Sequence, residues 1–281
     1  MRLRPLVTAT PALRPRWDAL LILLASAGWY GGFHLRASFI VPVCAQNPGS
    51  CDPGLLNPLD RWGLVRHYDP LSDHLSYWTQ DGSAVLAIAA FFALAPTRRV
   101  ARTQLVLLIQ CMCINGALLE GIRLLIQRPR PFVYLDPLAQ GGAPAHYTSF
   151  YSGHTSFAAL AATCAALAAM DARPAVRRTV FGLAAALTAA TGALRVAAGR
   201  HFITDVAVGA LAGVLLGLGV SLILVHVINP QSFRWTMDLH IPWLSLLGLA
   251  LAVMAAGTLT AWLAGRAAAS GDAVMAVKED W

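Results

Sequence analysis

Seven apolar runs, parted by short connections rich in arginine, constrain this 281-residue chain more than any other feature of its sequence. A bilayer's hydrocarbon layer is ~30 Å thick, so a helix that crosses it needs about 20 mostly apolar residues. The runs are Trp17–Leu35, Gly82–Pro96, Gln104–Leu125, Thr155–Met170, Val180–Ala197, Ile203–Val227 and Ile241–Ala264, of which the second and fourth are short. Only 12% of the residues are charged and 57% are hydrophobic. A soluble domain carries roughly a quarter charged residues, so this chain cannot coat a water-soluble globule. The expected fold is all-α, a polytopic transmembrane helix bundle with six core spans and a seventh, C-terminal span.

Arginine and lysine favour the cytoplasmic side of a bilayer, so the connections also predict orientation. Arg2, Arg4, Arg14 and Arg16 precede the first run. Arg98, Arg99 and Arg102 part the second from the third, and Arg173, Arg177 and Arg178 part the fourth from the fifth. These clusters belong inside, which leaves the segments near 37–81, 127–152 and 199–202 outside. The net charge of +7 is spread over these short clusters rather than one polar domain, so no nucleic-acid partner is expected. The chain divides into 1–36, a basic N-terminus and first transmembrane helix acting as a possible signal anchor; 37–81, an outside loop; 82–228, the core helices; and 229–281, a last transmembrane helix and polar tail. Ala25-Ser26-Ala27 also fits a signal-peptide cleavage site, although an uncleaved first helix is the preferred reading.

Cys111, Cys113 and Cys164 lie within apolar runs and are expected to be inert packing residues. Cys44 and Cys51 share a polar loop, where an oxidising compartment would allow a disulfide and a reducing one would leave two thiols. Gly209, Gly213 and Gly217 recur every fourth residue, a small-residue stripe suited to close helix packing.

Polar groups cluster at the outside ends of the runs in three places. The first is Arg123-Leu-Leu-Ile-Gln-Arg-Pro-Arg130-Pro131, where Pro129 and Pro131 should extend Arg128 and Arg130 beyond the helix that carries Arg123. Guanidinium groups converging in this way suit an oxyanion, whereas the plain alternative pairs Arg123 with Glu120 one turn back. The second is Tyr151-Ser152-Gly153-His154, where Ser152 can cap a helix whose positive end meets an anion. The third runs from Arg195 to His201 and Asp205; if a helix begins near His201, the Asp205 carboxylate is placed to hold one imidazole nitrogen and leave the other free.

All three clusters fall on one membrane face by the charge rule. Together they offer three cations, a helix N-terminus, an oriented histidine and a second histidine. That set suits a phosphoryl group, with one histidine attacking and the other protonating the leaving oxygen, and it calls for no cofactor and no metal.

At these residues the chain resembles the type 2 phosphatidic acid phosphatase superfamily, which includes vanadium-dependent haloperoxidases. The family signature is Lys-x6-Arg-Pro, Pro-Ser-Gly-His and Ser-Arg-x5-His-x3-Asp. This chain has Arg123-x6-Arg130-Pro131, Tyr151-Ser152-Gly153-His154 and Leu194-Arg195-x5-His201-x3-Asp205. Order and spacing agree, while Arg123, Tyr151 and Leu194 replace lysine, proline and serine. The similarity extends over about Arg102 to Val227.

The resemblance implies that His201 forms a phosphohistidine, that Asp205 orients it and that His154 serves as general acid and then base. It also implies that Arg123, Arg130, Arg195, Ser152 and Gly153 hold the phosphate oxygens. It further implies an integral-membrane lipid phosphatase acting on a phosphomonoester or diphosphate of a lipid. Its expected place is the inner (plasma) membrane, with the site on the periplasmic face. A lipid phosphotransferase has the same chemistry with a lipid acceptor, and a non-enzymatic lipid or anion transporter would not need the His/Asp pair. A haloperoxidase fits the oxyanion site but not a lipid interface. The 37–81 segment, with Trp62, Tyr68, His74, Tyr77 and Trp78, is either an aromatic cap over the site or a plain connector. His146, Tyr147 and Asp136 are further candidates for substrate contact. Oligomeric state is not legible.

Overall fold

The computed structural model describes residues 15–64, 68–223 and positions 247, 248 and 251. In chain order its helices are α1 (Pro15–Phe39), α2 (Val43–Gln46), α3 (Pro58–Trp62), α4 (Pro70–Leu94), α5 (Arg98–Ile126), α6 (Pro131–Leu135), α7 (Pro137–Gln140), α8 (Gly153–Ala168), α9 (Pro174–Ala197) and α10 (Ile203–Ile223). Among the described residues there is no strand. Among the described residues, two segments, Arg98–Leu135 containing α5 and Pro174–Ala197, are long and apolar enough to cross a membrane. The last predicted run, Ile241–Ala264, lies outside the described residues but for three positions.

Local chemistry sets the helix ends. Pro70 and Pro174 occupy first turns, where a missing N–H costs nothing. Asp69 accepts from Leu71 N, and Thr97 Oγ1 accepts from Val100 N at 3.3 Å. Gln127 adopts the left-handed conformation at φ 47°, which stops α5 and releases the Arg-Pro-Arg-Pro segment.

One helix begins earlier than its hydropathy predicts. The run Gly82–Pro96 is the second half of α4, which starts at Pro70 inside the expected outside loop. Its first half holds Ser72, Asp73 and Ser76, all buried, because it packs on α8 and α9 with its polar side chains turned into the bundle. The remainder of that loop carries α2 and α3, and Cys44 and Cys51 are bonded as a disulfide with Cα atoms 5.6 Å apart.

Helix α8 is the centre of the bundle, packed by α4, α5, α9 and α10, while α1 lies along α5. Alanines at 158, 159, 161, 162, 165 and 166 are all buried, so neighbouring backbones approach closely. The glycine stripe of α10 faces this helix: a Cβ at Gly209 would stand 2.6 Å from Ser152 O, and one at Gly213 would stand 2.2 Å from Ser156 O. Both contacts are with backbone, which cannot swing aside. Gly213→Val should therefore force α10 off α8 and destabilise the protein by about 1–3 kcal/mol or more, read as a lower Tm in detergent. An unchanged Tm would show that the two helices have room to part.

Candidate active site

The last turn of α5, the first of α8 and the last of α9 meet at one end of the bundle. There a cavity of about 680 Å³ is lined by Arg123, Arg130, Gly153, His154, Arg195 and His201, together with groups from α1 and α4. Three distant stretches of chain thus contribute to one site. Ser152 and Asp205 stand behind its wall rather than in it.

Arg123 is buried at the end of α5 and donates to Glu120 Oε1 at 2.9 Å, the plain pairing expected for that spacing. Glu120 is also held by Arg36 of α1, whose Nε donates to Oε2 at 2.6 Å. The pairing leaves Arg123 Nε without a partner. A Cβ on Gly153 would come 2.8 Å from Leu119 Cδ2 and 3.2 Å from an Arg123 guanidinium nitrogen, so the absence of a side chain lets α5 and α8 close on each other.

Pro129 and Pro131 flank Arg130, which takes up extended dihedrals as the pattern predicts. Its guanidinium reaches Thr148 Oγ1 at 3.1 Å and Arg200 O at 3.4 Å, both neutral acceptors. Burial pulls its pKa down to about 9, aided by Arg123, Arg195 and Arg200 nearby. A guanidinium so placed lacks its own counter-ion, and an entering anion supplies one.

Ser152 precedes α8, but its hydroxyl pairs with Thr155 Oγ1 at 2.9 Å and makes no cap bond; its N–H donates to Asp205 O. The expected capping by its side chain is therefore corrected, since the closer hydroxyl of Thr155 takes it. Tyr151, in the family's proline position, is buried and donates to Asn115 Oδ1 at 3.1 Å. His154 stands edge-on to Tyr77 of α4 at 4.4 Å between ring centroids, with Nε2 unpartnered.

Arg195 is buried at the end of α9 and donates to Asp73 and to Ser76 Oγ, leaving Nε free. Gly199, at φ 65°, reverses the chain so that the N–H groups of Arg200 and His201 both return to Arg195 O. His201 is fully buried. Its Nδ1 is 2.8 Å from Ser149 O, whereas the nearest Asp205 oxygen is 3.8 Å away. The expectation that the carboxylate grips the imidazole directly is thus corrected: a backbone carbonyl takes the N–H, and Asp205 accepts from Ser149 Oγ at 2.6 Å and from Phe202 N at 2.9 Å. Burial first, then the charges of Arg130, Arg195 and Arg123, hold the His201 pKa well below its usual 6.5. The ring is neutral at neutral pH. With Nδ1 as donor, Nε2 carries the free lone pair.

Among the described residues, six buried side-chain polar atoms have no hydrogen-bond partner, and four are Arg123 Nε, Arg195 Nε, His154 Nε2 and His201 Nε2. All four residues line this cavity. Buried polar atoms are nearly always paired; here the two arginine Nε–H groups are donors and His201 Nε2 is a lone pair, a set that suits an anion built around an electrophilic atom. The wall carries five guanidiniums (Arg36, Arg123, Arg130, Arg195 and Arg200) against two carboxylates, Asp73 and Glu120, and that excess favours an anion.

Several contributors were not singled out from sequence. Asp73 receives Arg195 and Arg200, and Ser149 holds His201; Arg128, expected from its sequence to extend with Arg130 toward an oxyanion, instead bridges Asp60 and Asp205 outside the cavity. Their signal was a carboxylate or arginine in a chain with few charges, close to an outside end. Tyr77 and His146 line the cavity, while Tyr147 is buried, its hydroxyl shared between Cys44 N and Gly141 O. Asp136 caps α7 through Ala139 N and borders a separate cavity of about 390 Å³. Trp62 and Trp78 are exposed and line neither cavity.

Residues 104–230 match the family model of the PAP2 superfamily, close to the stretch that carries the motifs. No curated protein and no solved structure matches the chain.

Proposed function

Because residues 104–230 match the PAP2 superfamily, we propose that this protein is an integral-membrane lipid phosphatase working through a phosphohistidine on the extracytoplasmic face. The observation that carries the reading is the set of four unpartnered nitrogens around one cavity.

In this account Arg123, Arg130 and Arg195, with the N-terminus of α8 at Gly153, hold the three non-bridging oxygens, leaving Ser152 to support that turn from behind. His201 Nε2 attacks phosphorus as the bond to the lipid oxygen breaks; His154, whose pKa burial and Arg195 hold low until the negative charge of the bound phosphate offsets them, is then protonated and gives that proton to the leaving oxygen. Water then attacks the phosphohistidine, His154 takes a proton from it, and inorganic phosphate leaves with His201 restored. Cations fixed where charge accumulates account for most of the expected acceleration.

Three observations support the lipid and the membrane. The cavity joins its cationic wall to an apolar one of Trp29, Phe33, Leu119 and Phe157, which suits a phosphate carried on a hydrocarbon chain. Large apolar side chains stand exposed along the helices, among them Leu23 and Leu24 of α1, Val85 of α4, Leu125 of α5 and Leu215 of α10. The arginine clusters 98–102 and 173–178 open α5 and α9, at the opposite end of the bundle from the cavity, and the Cys44–Cys51 disulfide lies toward the cavity end, as an oxidising outer compartment would allow.

Purified protein given lipid phosphates, lipid diphosphates and a water-soluble phosphate ester, with excess chelator, should release inorganic phosphate in step with loss of a lipid substrate. Loss of substrate without phosphate would indicate transfer to another acceptor. No turnover of any ester would remove the proposal.

A further inference from the structure

Arg128 lies in the first motif region but not in the cavity, and its surroundings suggest a separate task. Its side chain crosses from the α5–α6 connection to the base of α10. One terminal nitrogen donates to Asp205 Oδ1 at 2.5 Å and to Thr204 Oγ1 at 2.8 Å; the other donates to Asp60 Oδ2 at 2.6 Å. The guanidinium stacks 4.3 Å above the Phe202 ring. Asp60, fully buried in α3, also accepts from Thr204 N at 3.0 Å and Thr204 Oγ1 at 2.7 Å. Burial opposes the charge of Arg128, yet Asp205 and Asp60 raise its pKa above the usual arginine value.

The chain of contacts continues to the proposed nucleophile. Asp205 Oδ2 accepts from Ser149 Oγ, and Ser149 O is the acceptor 2.8 Å from His201 Nδ1. Ser149 N donates to Arg128 O at 3.0 Å, so Arg128 fixes Ser149 through both its backbone and its side chain. Asp205, neutralised on one oxygen, is left to orient the serine with the other.

We infer that Arg128 is a positioning residue for phosphoryl transfer: through Asp205 and Ser149 it fixes the tautomer and aim of the His201 ring without touching the substrate. The inference rests on the phosphohistidine reading. It places a residue outside the three motif positions in the machinery and gives the α3 segment, through Asp60, a part in holding the site.

The test separates positioning from anion binding. For the full-length protein and its variants, kcat and KM are measured with a lipid phosphate, the inhibition constant with inorganic phosphate, and Tm in the same detergent. Arg128→Gln should lower kcat about 10²-fold, as a small misplacement of the attacking atom does. KM and phosphate inhibition should stay nearly constant, because Arg128 does not line the cavity. Since Arg128→Gln leaves two buried carboxylates without a cation, Arg128→Lys is measured beside it. Lysine keeps the charge but lacks the planar fork, and should restore part of kcat and most of Tm. Asp205→Asn in the Arg128→Gln background should cost no more than the worse single change, because both act through one ion pair.

Near-normal kcat in Arg128→Gln and Arg128→Lys would overturn the inference and leave the phosphatase reading intact. So would phosphate inhibition weakened as much as kcat, which would make Arg128 an anion ligand, or additive losses in the double variant. An inactive wild-type protein would take both readings down together.

Discussion

His201→Ala is expected to reduce phosphate release by on the order of 10⁴-fold or more, because it removes the imidazole assigned to nucleophilic attack. His201 is fully buried and neutral, its Nδ1 is committed to Ser149 O, and its Nε2 is unpartnered beside the cationic wall. Truncation opens a space continuous with the cavity, so water can satisfy the Ser149 carbonyl and the fold should persist. Inhibition by inorganic phosphate measured against a soluble phosphate ester is not available for a dead variant, so retained binding is checked by calorimetry with phosphate. His201→Asn, whose amide can still donate toward Ser149 O, guards against a packing artefact. Activity retained in both variants would move the nucleophile elsewhere.

Arg130→Ala is expected to cost about 10²–10³-fold in kcat, the usual loss when one fixed donor to a developing oxyanion is removed. Arg123 and Arg195 each have a carboxylate partner, Glu120 and Asp73, whereas Arg130 bonds only to Thr148 Oγ1 and Arg200 O. Its charge is thus the least neutralised of the three. Removing it leaves no buried carboxylate unpaired, so Tm should change little while phosphate binding weakens. Arg130→Lys should recover part of the loss, because a point charge replaces a fork. A larger fall in Tm than in kcat would make Arg130 a structural residue.

Among the described residues, the helices and the three clusters at their ends were legible because each rests on local information. Apolar length marks a buried or lipid-facing helix, and the spacing of Arg123, Arg130, Gly153, His154, Arg195 and His201 about helix ends survives folding unchanged. Their meeting also required the charge rule, which put 127–152 and 199–202 on one side. Hydropathy failed over Pro70–Asp81, because α4 there packs polar Ser72, Asp73 and Ser76 against protein. A window that averages polarity cannot distinguish such a face from a loop.

The second shortfall concerns Asp205. Spacing of four residues on a helix places a carboxylate near an imidazole, and the two are indeed neighbours. It carries no information about Ser149, 52 residues away from His201, whose carbonyl comes a full ångström closer than the carboxylate. The same holds for Asp73, whose pairing with Arg195 spans 122 residues. Contacts between distant stretches are set by how helices dock, which no local pattern in one sequence encodes.

The most direct test is a density map of the protein with orthovanadate, a mimic of the phosphoryl group in transfer. The account predicts one oxyanion in the cavity, with oxygens about 3 Å from Arg123 Nε, Arg195 Nε and the Arg130 guanidinium, and with His201 Nε2 directed at the vanadium. An oxyanion bound elsewhere, or an empty cavity at saturating vanadate, would contradict it.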